Sequence, residues 1–195
     1  MRVILEKYTN ILQQLYWFAY LQLLWVIFSV CGCIIFGIFP ATYALFHIWK
    51  DFQSDTSTTK ALFQQFHHVY MTSFFSLNKA GMLWQAMVLL ISTNLVIIHP
   101  DYVLFKWMVL GMLGFLLLSV IHFFRQVDLN GQIIGQIKKS FMLVLLYPKN
   151  NAIYMIVFLG LILSLYVLPG VTFFFGVSLS IYLIVQFDRK TDCIF

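Results

Sequence analysis

The most constraining feature of this chain is an uncharged stretch near its N-terminus. Between Lys7 and Lys50, 42 consecutive residues contain no Asp, Glu, Lys or Arg, and three further charge-free runs of membrane-spanning length follow. A bilayer hydrocarbon core is about 30 Å thick and takes about 20 helical residues to cross. Because lipid cannot hydrogen-bond to exposed backbone groups, such runs are expected to form membrane-spanning helices.

The composition supports the same class of protein. Of the 195 residues, 62% are hydrophobic and only 10% are charged, which excludes a water-soluble globular protein. The formal net charge is +5, but the basic residues are scattered singly or in pairs, so no nucleic-acid partner is predicted. We expect the basic excess to contact the anionic head groups of the lipid bilayer instead.

Five apolar segments are long enough to cross the bilayer. They lie at about residues 17–39, 81–98, 103–124, 151–168 and 171–187. A short turn at His99 to Asp101 joins the second span to the third, and Pro169-Gly170 joins the fourth to the fifth. The predicted fold is therefore an all-α integral membrane protein, with residues 1–195 forming a single membrane domain of five transmembrane helices.

Two longer segments with polar residues, 50–80 and 125–150, separate these spans. In the first, apolar residues recur at spacings of three and four, which predicts an amphipathic helix. In the second, the apolar run from Ser140 to Pro148 has nine residues, too few to span as a helix, and whether it re-enters the membrane stays open. Both segments are predicted to be cytoplasmic or interfacial.

The distribution of Lys and Arg predicts how the protein is oriented in a plasma membrane. With both polar segments on one side, nine basic residues lie there and three, Arg2, Lys7 and Lys106, lie on the other. This count places the N-terminus outside and the C-terminus in the cytoplasm. The basic N-terminus argues for the reverse, because the first segment often dominates insertion.

The end of the first span contains a predicted bend. Pro40 lacks an amide hydrogen and Gly37 lies one turn earlier, so the helix is expected to kink or break there and Pro40 to redirect the chain. About nine uncharged residues remain before Lys50, too few to recross the bilayer. Residues 41–52 are therefore predicted to lie along the membrane surface.

Residues 19–52, AYLQLLWVIFSVCGCIIFGIFPATYALFHIWKDF, resemble the signature region of the YesL family of bacterial membrane proteins. In that family an aromatic, Leu-rich first span ends in a Gly-x-Phe-Pro-Ala-Thr stretch and a short helix. The matching residues here are Gly37, Phe39, Pro40, Ala41 and Thr42. The resemblance implies a Firmicute-type plasma-membrane protein of unknown biochemical function, often found near genes for carbohydrate uptake and breakdown. It implies no catalytic residues.

Residues suited to chemistry are sparse. The predicted topology puts His99 outside and four histidines at the cytoplasmic face: His47, His67, His68 and His122. No His-x-x-x-His pair and no carboxylate within a span accompanies them, so we expect interfacial hydrogen bonding and neither a metal nor another cofactor. A nucleophile elbow, a phosphate-binding loop and paired catalytic carboxylates are absent from the sequence, which predicts that the protein is not an enzyme.

The polar residues within the predicted spans are neutral, and we expect them to hydrogen-bond between helices. The candidate intramembrane contacts are Gln22, Gln85 and Asn94. A neutral polar path for a sugar remains an alternative use of such residues.

Two functions follow from this pattern. The favoured hypothesis is a non-enzymatic accessory or regulatory partner of a carbohydrate uptake system, contacting carbohydrate ABC importer subunits. The alternative is a small transporter or channel for a neutral or sugar-like solute, which would self-associate because five short helices enclose little space.

Overall fold

In the computed structural model, the backbone is described for residues 2–52, 58–99, 102–129 and 131–192, and the side chains for the same ranges between residues 11 and 189. Across these ranges the chain forms α-helices and no strands, which confirms the all-α prediction. The helices are α1 (Arg2–Cys31), α2 (Ile38–Asp51), α3 (Thr59–Ile97), α4 (Val103–Gln126), α5 (Ile133–Leu146), α6 (Pro148–Val167) and α7 (Pro169–Asp192).

Five helical segments are long and apolar enough to cross a membrane, as the sequence predicts. They are Ile11–Cys31, Thr59–Ile97, Val103–Gln126, Pro148–Val167 and Pro169–Arg189. Large apolar side chains on these helices are strongly exposed, for example Leu104 at 79% and Tyr166 at 88%. Water would make such surfaces prone to association, whereas lipid solvates them.

Helix α3 is longer than the predicted second span. Its 39 residues join the predicted amphipathic segment and the span in one continuous helix. In the amphipathic part, Leu62, Phe66 and Val69 are buried, whereas Phe63 is exposed. The predicted turn after this helix lies partly outside the described residues, since it includes residues 100 and 101.

The chain divides into two compact units. Unit 1 comprises Met1–Thr72 and Ile156–Phe195, and unit 2 comprises Ser73–Met155. Leu21 and Leu45 are fully buried in unit 1, and Phe123 is fully buried in unit 2.

In unit 1, α1 and α2 form a tight antiparallel hairpin. Trp25 Nε1 donates a hydrogen bond to Thr42 Oγ1 at 3.1 Å, and farther from the turn the rings of Trp17 and Phe52 lie 5.9 Å apart. Helix α2 buries Phe39, Pro40, Ala41, Ala44, Leu45, Phe46, Ile48 and Trp49. It therefore runs back alongside α1, which corrects the prediction that residues 41–52 lie along the membrane surface. Burial of its apolar face explains the difference.

The hairpin turn begins where α1 ends, at Cys31. The Cys33 amide donates to the Val30 carbonyl at 2.9 Å, and the Ile34 amide donates to the Ser29 carbonyl at 2.8 Å. This pair of hydrogen bonds is the Schellman motif that closes many helices. Cys33 has φ 56° and Ile34 has φ 63°, in the left-handed region that glycine usually occupies. The first membrane helix thus ends at Cys31 and not near residue 39.

Two glycines, and not Pro40, permit the reversal of the chain. A Cβ atom on Gly37 would overlap the backbone of Ser29, and one on Gly32 would overlap Gly37. Pro40 is the third residue of α2, where a missing amide hydrogen breaks no helical hydrogen bond. The prediction that Pro40 redirects the chain is therefore wrong, because the chain has already turned before it.

Helix α7 runs antiparallel to α1. The rings of Phe18 and Tyr182 lie 5.0 Å apart, and Gln22 hydrogen-bonds to Ser178, so residue numbers rise along α1 as they fall along α7. Trp49 near the end of α2 also lies 5.0 Å from Tyr182. The start of the α1 span and the end of α7 thus lie at the same end of unit 1. The charge count had predicted opposite sides of the membrane for them.

Helix α6 and helix α7 are joined by a single residue, Leu168. Thr172 Oγ1 donates to Ser164 Oγ at 3.0 Å across this connection. Pro169 opens α7, a position that suits its fixed φ. The chain therefore turns between α6 and α7 at the place where the sequence predicts the connection of the fourth and fifth spans.

In unit 2, α5 packs on α4. Ser119 Oγ and Ser140 Oγ lie 3.3 Å apart, and the rings of Phe115 and Phe141 lie 5.9 Å apart. The 14 residues of α5 extend about 21 Å at 1.5 Å per residue, less than the hydrocarbon thickness. Helix α5 is therefore too short to span the membrane alone.

Candidate functional site

Unit 1 contains a buried polar joint between three helices. Gln22 Oε1 on α1 accepts a hydrogen bond from the Ser178 amide on α7 at 2.8 Å, and Trp49 Nε1 on α2 donates to Ser178 Oγ at 3.2 Å. Gln22 is 3% exposed and Ser178 is fully buried. The sequence indicates Gln22 as an isolated polar residue in an apolar run. Its partner Ser178, and the bond from Trp49 to Ser178, follow only from the tertiary structure.

Next to this joint, towards the last turn of α2, α1, α2 and α7 surround a cavity of ≈ 180 Å³. Aromatic rings form most of its wall, and amide and guanidinium groups complete it. The lining residues are Gln14, Trp17, Phe18, Trp49, Phe52, Tyr182, Val185, Gln186 and Arg189. No acidic side chain is among them, so the cavity presents apolar surface and hydrogen-bond donors.

Arg189 is anchored at this cavity by the end of α2. Its Nη2 donates to the Trp49 carbonyl at 3.4 Å and also to the Lys50 carbonyl. Carbonyls in the last turn of a helix lack helical partners, and a cation there interacts favourably with the helix dipole. The guanidinium is thereby held in place at the cavity.

Trp17 lines the same cavity and has an unsatisfied hydrogen-bond donor of its own. Its side chain is 5% exposed, and its indole N–H has no hydrogen-bond partner in the described part of the chain. A buried donor without a partner costs roughly 1–3 kcal/mol.

The family-motif residues build the hairpin beside this cavity and do not line it. Gly37 permits the close approach of α2 to α1, and Thr42 accepts the hydrogen bond of Trp25. The remaining motif side chains are buried: Phe39, Pro40 and Ala41. The motif therefore positions α2, which contributes Trp49 to the joint and the cavity.

Unit 2 has a buried polar joint of its own, centred on His122 of α4. His122 Nε2 lies 2.8 Å from Asn151 Oδ1 on α6, and Asn151 Nδ2 donates to the Val144 carbonyl on α5. The ring of Tyr154 lies edge-on, 5.3 Å from the imidazole. His122 is fully buried, and its Nδ1 has no partner among the residues described. The sequence predicts an interfacial histidine here, whereas the structure buries it between three helices.

The other polar residues singled out from the sequence are not part of these joints. Gln85 is half-buried. Asn94 is exposed, and its Nδ2 donates to the Leu90 carbonyl of its own helix at 2.7 Å. Asn94 therefore makes a local contact within α3.

The remaining histidines form no cluster beyond the adjacent pair His67 and His68 in the described part of the chain. His47 Nδ1 lies 3.7 Å from Asp51 Oδ2, one helical turn away. His67, His68 and His99 are exposed. Within the described ranges, no group of three or more His, Cys, Asp or Glu residues is placed to hold a metal ion.

This fold, with its apolar spans and buried polar joints, defines a multi-span helical membrane protein. Residues 18–95 match the family described as protein of unknown function, DUF624. The chain is 29% identical over 178 residues to the uncharacterized protein YteU of Bacillus subtilis (strain 168), covering 85% of this chain and 76% of YteU. It is 34% identical over 58 residues to the uncharacterized protein YesL of the same organism, which is 28% of each chain.

These matches confirm the resemblance that the first-span motif indicated, to a YesL-like family of unknown function. No solved structure matches the chain. The family match includes the α1–α2 hairpin with Gln22 and Trp49, and it ends before His122.

Proposed function

We propose that this protein is a non-enzymatic accessory or regulatory component of a membrane uptake system. The observation that supports this proposal is that buried polar side chains in each unit hydrogen-bond to a neighbouring helix of the same unit. Gln22 bonds to α7, His122 bonds to α6, and Ser119 bonds to α5. Hydrogen bonds of this kind hold helices together, and a group committed to one does not line a path for a solute.

We propose that the uptake system transports a carbohydrate. This step rests on the resemblance to the YesL family, whose genes are often found near those for carbohydrate uptake and breakdown. The partner would then be the membrane subunits of a carbohydrate ABC importer.

Purification of the tagged, full-length protein in a mild detergent from a Firmicute host tests this proposal. We expect importer subunits to copurify in stoichiometric amount, and deletion of the gene to reduce uptake of the cognate sugar. A lone homo-oligomer that supports sugar flux in proteoliposomes would overturn the accessory role and establish the transporter alternative.

We also propose that both ends of the chain face the cytoplasm of a plasma membrane. The antiparallel pairing of α1 with α7 supports this orientation, and α2, which has too few residues to span a membrane by itself, returns the chain towards the same end alongside α1. Lys50 and Arg189 lie at the shared end, and basic residues are retained on the cytoplasmic side. Arg2 and Lys7 precede that end in sequence, so the basic N-terminus is also kept inside, in contrast to the outside location predicted from the charge count.

Thiol labelling in whole cells distinguishes the two orientations. Single cysteines replace Gln14, Gln186 and Ile34, all exposed, in a background where Cys31, Cys33 and Cys193 are serine. An impermeant maleimide is expected to label position 34 in intact cells, and positions 14 and 186 only after permeabilisation. Labelling of positions 14 and 186 from opposite sides would restore the orientation predicted from the charge count.

A further inference from the structure

We propose that the cavity between α1, α2 and α7 binds a phosphate group, and that this phosphate belongs to the head group of an anionic phospholipid. The proposal is independent of any importer partnership, because it needs only the membrane location and the geometry of unit 1. It assigns a ligand to Arg189, which lines the cavity at the end of α7.

The hydrogen-bonding groups of the cavity suit an anion. Arg189 brings a guanidinium, and the Gln14 and Gln186 amides add further hydrogen-bond donors. Phosphate oxygens accept several hydrogen bonds at once, and Arg is the side chain that best matches their geometry. Asp51 and Asp188 are adjacent in sequence to the lining residues Phe52 and Arg189, but neither carboxylate lines the cavity.

The guanidinium is preorganised for this role. Two carbonyls at the end of α2 already hold Nη2 of Arg189, so binding does not have to order a free Arg side chain. Less conformational entropy is then lost when the ligand arrives. The exposed side chain of Lys50, at the same end of α2, adds positive charge nearby.

The position of the cavity favours a lipid as the source of the phosphate. It is at the start of the α1 span and the end of the α7 span, and its wall includes Trp17, Trp49 and Tyr182. Trp and Tyr concentrate at the level of the lipid head groups. A phospholipid phosphate is therefore the anion that reaches this cavity at the highest local concentration.

The size of the cavity agrees with a head group and not with a whole ligand molecule. Its volume of ≈ 180 Å³ is below the roughly 300–1,000 Å³ of clefts that enclose drug-sized ligands. Exposed Leu15 and Leu183, on the same turns of α1 and α7, offer apolar surface to acyl chains. The phosphate and its glycerol would be inside, and the chains would remain in the bilayer.

Native mass spectrometry of the full-length protein with defined lipids tests this site. We expect phosphatidylglycerol to bind with a Kd about tenfold lower than phosphatidylcholine, because a zwitterionic head group offsets the attraction of Arg189. Arg189→Gln is expected to weaken phosphatidylglycerol binding about tenfold, since it removes a charge-assisted hydrogen bond. Equal affinity for the two lipids, or an unchanged Kd in Arg189→Gln, would overturn the proposal.

Two further variants keep the test decisive if Arg189→Gln does not fold. Gln186→Leu removes an exposed amide that lines the cavity, and it is expected to weaken phosphatidylglycerol binding severalfold. Lys60→Gln removes an exposed positive charge that does not line the cavity, and it should leave the Kd unchanged. A loss of affinity in Lys60→Gln would indicate attraction by general surface charge, and an unchanged Kd in the variant of the lining residue would contradict a defined site.

Soluble anions identify the source of the phosphate. Inorganic phosphate and glycerol phosphate are expected to bind weakly and to compete poorly with phosphatidylglycerol, because neither gains the contacts of acyl chains. Competition by either anion at the concentration where the lipid itself saturates would overturn the lipid assignment.

Discussion

The two units bring their helices together in different ways. In unit 1, the backbones of α1 and α2 meet at Gly32 and Gly37, where an added Cβ would overlap neighbouring atoms. In unit 2, the helical glycines Gly111 and Gly135 have no atom within 4 Å of such a Cβ. Aromatic rings pack between helices in both units, and in unit 2 the rings of Trp84 and Phe123 lie 4.7 Å apart.

The polar joints of the two units differ as well. Unit 1 uses the Gln22 amide, which is neutral at every physiological pH, to accept from the Ser178 amide of another helix. Unit 2 uses the imidazole of His122, an ionisable group. Both joints satisfy buried polar groups, but only the second contains a side chain whose charge can change.

The largest expected effect comes from filling the close approach in unit 1. We predict that Gly37→Ala destabilises the protein by about 3 kcal/mol, because the new methyl group meets the rigid backbone of Ser29. Thermal unfolding in detergent measures the loss. The matched control in unit 2, Gly135→Ala, has open space and is expected to be neutral or to stabilise by up to about 1 kcal/mol. Equal losses in both variants would remove the contrast between the units.

The next effect concerns the joint of unit 2. We predict that His122→Phe costs about 1–3 kcal/mol, since it leaves the oxygen of the half-buried Asn151 without its donor. The double variant with Asn151→Leu should recover part of the loss. A double-mutant cycle by thermal unfolding is expected to give a coupling of about 0.6–1.7 kcal/mol, as for other hydrogen bonds in membranes. Zero coupling would mean that the His122–Asn151 contact contributes nothing to stability.

A smaller effect is expected from the joint of unit 1. We predict that Gln22→Leu costs about 0.6–1 kcal/mol, because the Ser178 amide loses its side-chain acceptor. Ser178→Ala serves as the comparison, since it removes only the acceptor of Trp49 and keeps the backbone amide. Both losses are read from the unfolding midpoint and are expected to be independent of pH between 6 and 8, roughly the range in which His titrates. A pH-dependent loss in Gln22→Leu would contradict a neutral joint.

The smallest predicted effect has the opposite sign. Cys33 occupies the left-handed position of the Schellman turn, so Cys33→Gly is expected to stabilise the protein by about 1 kcal/mol. Cys31→Gly, at the last residue of α1, is the control and should destabilise by up to about 1 kcal/mol. A destabilised Cys33→Gly variant would show that the turn conformation depends on the Cys33 side chain.

The membrane class and the candidate spans could be predicted because they depend on local hydropathy. The start of α7 at Pro169 could be predicted from the chemistry of proline. The apolar face around Phe66 could be predicted from the spacing of apolar residues. The end of α1 could not be predicted, because its Schellman turn has Cys33 in the left-handed region and lacks the glycine that normally marks such a turn. The bend was wrongly predicted at Pro40, because proline is the residue whose missing amide hydrogen most clearly predicts a helix break.

By itself, the sequence determined that the chain is helical, crosses a membrane and resembles the YesL family, because charge-free length and a short motif carry those properties. Only the tertiary structure decided that α2 returns along α1, that Gln22 meets Ser178, and that His122 is buried. These outcomes depend on contacts between residues far apart in the chain. The free energy of such contacts comes from packing and desolvation at the assembled site, which no local pattern of residues specifies.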